Sequence, residues 1–341
     1  MKRNALVCLA FLLCISPSTI SAIGDKEASD EVTITVYCYD SFSSEWGPGP
    51  AIAEAFYQAK GIRIDFRAPG DAVTVLNQLI LEGDSGEADV VVGLDESLLD
   101  RALNAEVLAV YESKELSSLR ADLIFDKSHH LLPFDYGHFA ICYDSQVVKN
   151  PPTSLEDLTS EQFAKSLVIM DPRTSTPGLG FLLWTVASFG ENWLDYWRDL
   201  RPTILTVSNG WSQGYTLFTA GEAPMVLSYG TSPVYHAEYE DSYRYKAAEF
   251  SGGHPTQIEV MGIVKGTRHR KEAESFIDFM LGAEAQYLLA TKNIMLPVNH
   301  DVALPDSFDV ALRPAETIDI DMGKFDSAHI DELIRQWREV F

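Results

Sequence analysis

Five short segments place aromatic, carboxylate and hydroxyl side chains at the ends of apolar runs. The first is Tyr39-Asp40-Ser41-Phe42 with Trp46-Gly47-Pro48-Gly49-Pro50, directly after VTITVYCY. A loop carrying Tyr, Asp and Trp is unfavourable in water unless it packs on its own prolines or touches something else. The second is Gly70-Asp71-Ala72, ahead of a helical pattern. Asp71 holds the position of an N-cap, and a cap carboxylate facing a cleft can also accept from a ligand amine. The third, DPRTSTPG over 171–178, leads into LGFLLW. Its hydroxyls Thr174, Ser175 and Thr176 exceed what one cap needs, and a helix start with free N–H groups suits an anion. The fourth is Gly210-Trp211-Ser212-Gln213-Gly214-Tyr215. The fifth is SYGTSPVYH over 228–236.

Tyr39, Trp46, Trp211, Tyr229 and Tyr235 thus offer flat faces, and Asp40 and Asp71 offer carboxylates. Ser232 and the Thr174-Ser175-Thr176 run offer hydroxyls. This mixture suits a flat, cationic, nitrogen-rich ligand with a phosphate or hydroxyl tail. Each aromatic face attracts a delocalised cation by about 0.5–2 kcal/mol. A charge-assisted hydrogen bond adds about 1.5–3 kcal/mol. The fourth segment also matches G-x-S-x-G, the nucleophile-elbow pattern. No HGGG-like segment precedes it, and none of His236, His254, His269 or His300 stands out as a triad base. A Trp on a turn beside a cleft is the better reading. There is no HExxH, CxxC or EF-hand loop, so neither a metal nor a cofactor is expected.

The elements that must position these residues alternate between strand and helix, which predicts an α/β architecture. Strands are expected at 32–39, 62–66, 88–94, 138–143, 166–170, 204–207 and 223–229. Helices are expected from Pro50 to Gly61 and at 72–81, 180–189, 214–220, 272–281 and 283–290. Near the C-terminus, Ile330, Leu333, Ile334 and Trp337 share one helix face, with Asp326 or Ser327 as cap. The chain is expected to cross between two lobes near Tyr136 and Tyr229. Lobe 1 then comprises 31–137 and about 237–341, and lobe 2 comprises 138–236. Ligands of open α/β sheets bind at such crossings, outside the strand ends.

The chain has 341 residues, 46% of them hydrophobic, enough for two lobes with sizeable cores. Lys2 and Arg3, the apolar run 6–15, and the small residues Ser18, Thr19, Ser21 and Ala22 read as a secretory signal over 1–22. Cleavage is expected after Ser21 or Ala22. Lipid attachment at Cys14 is disfavoured by the bulk of Leu13. The net charge of −24 opposes binding to nucleic acid or an anionic membrane surface. It fits either a cationic ligand or simple solubility. Beyond the signal only Cys38 and Cys142 remain, both inside apolar runs, and two buried free thiols are expected rather than a disulfide.

The segments YDSF…WGPGP, ADVVVGLD, PFDYGHFA, DPRTSTPGLG, GWSQGY and LSYGTSPVYH run in the order found in the thiamine-binding periplasmic proteins of ABC transporters. The chain resembles that family from about Val32 to His300. The resemblance implies a two-lobed periplasmic-binding-protein fold of type II, with the cleft between lobes joined by crossing strands. It implies thiamine, thiamine monophosphate or thiamine diphosphate as transported ligand, permease and ATPase subunits as partners, and a periplasmic monomer. By position, Tyr39, Trp46, Tyr229 and Tyr235 would surround the rings, and Asp71 would bind the aminopyrimidine. Ser175, with Thr174, Thr176 and Trp211, would address the hydroxyethyl or phosphate end. One departure stands out: the family pattern N-W-M-Y-P reads Asn293-Ile294-Met295-Leu296-Pro297 here.

Other readings on the same fold are an iron or polyamine receptor, and an enzyme resembling thiaminase I, which attacks thiamine through a cysteine. The six-residue spacing of Tyr229 and Tyr235 does not suit iron. Neither Cys38 nor Cys142 has an adjacent Lys or Arg to lower its pKa.

Overall fold

Where apolar residues run unbroken the chain builds strands covered on both faces; where they recur at helical spacing it builds the helices that cover them. The computed structural model describes residues 31–341. The secretory signal, its cleavage position and Cys14 lie outside the described residues. The first flank of the sheet holds β1 (Thr33–Tyr37), β2 (Arg63–Arg67) and β3 (Val90–Asp95), all parallel. Between them run α1 (Gly49–Lys60) and α2 (Ala72–Glu82). Pro50 lies in the first turn of α1, and Gly61 ends it in the left-handed region at φ 69°.

The second flank holds β5 (Leu167–Met170), β6 (Ile204–Ser208) and β7 (Met225–Tyr229), again parallel. Its helices are α3 (Thr176–Phe189), α4 (Trp193–Leu200), α5 (Trp211–Thr219) and α6 (Pro233–Glu240). Two long strands join the flanks: β4 (Leu132–Asp144) and β9 (His254–Val264). They pair antiparallel, with Asp135 opposite Glu259 and His138 opposite Thr256. From Phe139 onward β4 turns to β7 instead, while Glu259 to Ile263 of β9 pair with β3. The sheet order is β2-β1-β3-β9-β4-β7-β5-β6. The short β8 (Tyr245–Ala247) pairs with the far end of β4.

Beyond β9 come α7 (Arg270–Leu281), α8 (Ala283–Leu288), a single π-turn over Leu289–Asn293, and α9 (Ser327–Val340). Asp326 caps α9 by accepting from the His329 N–H at 2.8 Å. The helix touches both flanks. Ser327 bonds Asp100 in the helical turn after β3, and Trp337 meets Trp197 of α4 edge to face at 5.8 Å. Cys38 and Cys142 are buried free thiols, as expected.

The helix starts differ from the expected ones. α3 begins at Thr176 and α5 at Trp211, a turn earlier than apolar spacing indicates. Pro177 and the Gly210 turn set those starts, because caps and not burial fix the first turn. Strand β9, helix α4 and helix α6 have no counterpart in the expected elements. In β9 polar residues break the apolar run, and α6 follows β7 with almost no linker.

Gly93 of β3 has φ 96°, and a Cβ there would lie 2.1 Å from the Tyr39 ring. Its missing side chain is the space Tyr39 occupies. Gly93→Ala is expected to lower stability by about 2–4 kcal/mol through backbone strain and overpacking. Denaturant unfolding checks this, and wild-type stability in the variant would show that the Tyr39 ring is not wedged there.

Candidate ligand-binding site

The carboxyl ends of the parallel strands in both flanks point into one space, as open α/β sheets require. There they enclose a cavity of about 260 Å³, sized for one small molecule. Of the residues singled out in the sequence, Tyr39, Trp46, Asp71, Thr176, Trp211, Tyr229, Ser232 and Tyr235 line it.

Tyr39 follows β1 and is buried, its hydroxyl 3.1 Å from Glu259 Oε2. Tyr229 closes the opposite side at the end of β7. Its ring stacks on Phe139, and its hydroxyl donates to Gln257 Oε1 at 2.6 Å. Gln257 in turn donates to Asp95 Oδ2 at 2.7 Å. Trp46, half exposed, meets Trp211 with ring centroids 6.2 Å apart. Trp211 stacks on Tyr215 at 4.7 Å, and its indole N–H donates to Ser228 at 2.8 Å. Ser228 and Ser232 share a hydrogen bond at 2.7 Å. The faces of Tyr39, Tyr229 and Trp211 are therefore held from behind, which fixes their geometry before anything binds.

Asp71 both caps its own helix and reaches across the cleft. One carboxylate oxygen accepts from the Ala72 N–H at 2.7 Å, the other from the Trp211 N–H at 3.0 Å. It thus sits at the first turns of α2 and α5, where the helix dipoles favour negative charge.

Three sequence-singled residues do not line the cavity. Asp40 is exposed and accepts from the Ser41 N–H. Thr174 turns away to the Asn209 carbonyl at 2.6 Å. Ser175 is fully buried, its hydroxyl near Asp71 but without a hydrogen-bond partner among the described residues. The cause is backbone: the Thr174 and Ser175 N–H groups both turn back to the Asp171 carbonyl, which leaves Thr176 facing the cleft.

Sequence reading missed Glu259, Lys292, Thr216 and Thr219 on the cavity wall, and named Tyr215, His236 and Asn293 within its segments without giving them a place there. Glu259 had a legible signal. An acid inside QIEVMGIV, two positions from Gln257, marks a polar face on a buried strand. His236 lies between Tyr215 (3.0 Å) and Glu240 (2.7 Å), and neither bond leads to Ser212 of the G-x-S-x-G match. Ile294, where the resembled family carries Trp, lines the cavity in the left-handed region at φ 57°. Leu296 pairs with Tyr136 and does not line it.

An aromatic-walled cavity where two sheet flanks meet defines a cleft receptor for a small molecule. The chain belongs to the bacterial extracellular solute-binding protein family, with residues 51–314 matched. It is 40% identical over 309 residues to the thiamine-binding periplasmic protein of Salmonella typhimurium, covering 90% of each chain. It is 38% identical to the protein of the same name from Escherichia coli, covering 89% of this chain and 92% of that one. Among solved structures it superposes on a periplasmic thiamin binding protein with a TM-score of 0.86 at 38% identity, covering 90% of this chain and 96% of that one. At 18% identity it shares the fold of AfuA from Actinobacillus pleuropneumoniae, a periplasmic binding protein with fructose-6-phosphate bound. The TM-score there is 0.81, covering 91% of this chain and 98% of that one. The fold is the two-lobed α/β type II periplasmic-binding-protein fold.

Burial is the largest influence on Asp71 and pushes its pKa up to about 6, against partial relief from Ser175 and the Ala72 and Trp211 N–H groups. A carboxyl with a raised folded pKa keeps its proton longer in the folded than in the unfolded chain. Its contribution to stability is therefore full below the ordinary value of 3.8 and is lost as pH rises through about 6. The shift corresponds to about 3 kcal/mol. Ligand-free protein is expected to lose stability across that window, and Asp71→Asn to flatten the loss. Urea unfolding at several pH values checks it; an unchanged slope in the variant would refute the buried, charged Asp71.

Proposed function

We propose that this protein is an extracytoplasmic receptor that captures thiamine or a thiamine phosphate in the periplasm and delivers it to the permease and ATPase of an ABC importer. The observation that carries this reading is the cavity itself, where Tyr39, Trp46, Trp211, Tyr229 and Tyr235 surround a space lined by Asp71 and Glu259. Aromatic faces and carboxylates together suit a planar cationic heterocycle. Asp71 is the partner for an aminopyrimidine. Thr176 and the first turn of α3 are the place for a hydroxyethyl or phosphate tail, because free N–H groups at a helix start hold anions. The thiamine-binding relatives at about 40% identity support the same ligand.

The receptor reading is favoured over an enzyme by the cysteines. Neither Cys38 nor Cys142 lines the cavity, and burial pushes both thiols up to about 12. A nucleophilic cysteine needs the opposite shift.

Calorimetric titration of the mature protein with thiamine, thiamine monophosphate and thiamine diphosphate is expected to show one tight site per chain. Absence of binding to all three in folded protein would overturn the assignment. Trp211→Ala is expected to weaken the best of the three by about 1–2 kcal/mol, roughly tenfold in Kd. An unchanged Kd would remove Trp211 from the ligand.

A further inference from the structure

Three acids lie side by side beneath the cavity. In the register of three adjacent strands, Glu259 of β9 stands opposite Asp95 of β3 on one side and Asp135 of β4 on the other. The ladder slips close to Glu259 on both sides, between Glu259 and Val260 toward β4 and one residue later, between Val260 and Met261, toward β3. Such a bulge re-aims side chains and is common beside functional sites. Of the three acids, Glu259 lines the cavity.

All three are buried, Asp135 completely. Among the described residues none of them has a Lys, Arg or His in salt-bridge contact. Their partners are neutral: Tyr39 and Asn293 for Glu259, Asn293 for Asp135, Gln257 and Ser97 for Asp95. Asp135 Oδ2 accepts from Asn293 Nδ2 at 2.8 Å, but Oδ1 is buried with no donor. Glu259 is its register partner across the strands, and a proton on the Glu259 carboxyl would supply that donor. Buried charge without a cation is otherwise strongly unfavourable.

We propose that Glu259, backed by Asp135, is the counter-ion by which this receptor selects a permanently cationic ring, and that the ring expels the proton the pair holds when the cleft is empty. The inference rests on the thiamine reading and deepens it. Nothing covalent changes: the proton leaves the Glu259–Asp135 pair for solvent, and the pair's charge is then balanced by the ligand. The titratable groups around Glu259 are Tyr39 after β1, Asp95 and Glu96 at the end of β3, Asp135 on β4 and Tyr229 on β7. Asp71 and Lys292 lie elsewhere on the cavity wall. Burial first, then the neighbouring carboxylates, raise the Glu259 pKa, in keeping with a protonated empty site.

The test uses the mature protein with thiamine and with its neutral thiophene isostere, in which carbon replaces the charged ring nitrogen. Calorimetry near neutral pH in buffers of different ionisation enthalpy counts the protons released. The expected result is about one proton released with thiamine and none with the isostere, and at least about tenfold tighter binding of thiamine. Glu259→Gln should remove both the release and the preference; circular dichroism confirms folding, and Asp135→Asn provides a second variant. Two results would overturn the inference while leaving the thiamine reading intact. One is equal binding of the two compounds without proton release. The other is release that persists in Glu259→Gln, which would place the proton on Asp71. If neither compound binds folded wild-type protein, the thiamine reading falls and the inference with it.

Discussion

The antiparallel pairing of β4 with β9 is the constraint on which the site depends. Each strand is long enough to belong to both flanks, and β4 exchanges β9 for β7 between His138 and Phe139. That exchange sets two parallel sheets facing each other across the crossing. Parallel strands lead into helices from their carboxyl ends, so both flanks point their loops at the same space. The row Asp95, Glu259 and Asp135 lies on the crossing strands themselves. Polar residues in a covered sheet are unfavourable unless satisfied. Here Gln257, Asn293 and Tyr39 are their hydrogen-bond partners, and Asn293, Tyr39 and Tyr229 form part of the cavity wall.

Asp71 is the second point of contact between the flanks. A carboxylate that accepts from Ala72 at the start of α2 and from Trp211 at the start of α5 couples a helix of each flank. Gly210 lets α5 approach so closely, since a Cβ there would sit 3.1 Å from Asp71. At the back of the molecule α9 makes the corresponding contacts, with Ser327 on Asp100 and Trp337 on Trp197. The two flanks are therefore joined by backbone in the middle, by a polar contact at the mouth of the cleft, and by a helix behind.

The aromatic residues of the site divide by support. Trp211, Tyr229 and Tyr39 are each fixed by a hydrogen bond at the polar end and by a neighbouring ring. Trp46 has one ring neighbour and remains half exposed. Pre-organised rings lose little entropy on binding. Trp46 is the face free to adjust to a ligand. Ile294 adds an apolar but non-aromatic wall, so stacking falls to the other rings.

Much of this was legible in the sequence because it depends on neighbours along the chain. Alternation and apolar runs located β1, β3, β5 and β7. Pro50 and Gly61 bounded α1, and Asp71 announced its cap. The clustering of Tyr, Trp and Asp at strand ends marked most of the cavity wall. What the sequence could not decide is which distant residues meet. Glu259 and Asp135 are far apart in the chain and become neighbours through strand register, which a sequence does not encode locally. Thr174 and Thr176 look equivalent in TST, yet the turn onto the Asp171 carbonyl sends one to Asn209 and the other into the cleft. Asp71 reads as a cap in the sequence; its bond to Trp211 exists only because the fold brings α5 across the cleft. Local chain order thus determined the elements and the kinds of side chain at their ends. Tertiary pairing decided which of those side chains share one cavity, because burial and hydrogen bonding between remote segments are set by the fold as a whole.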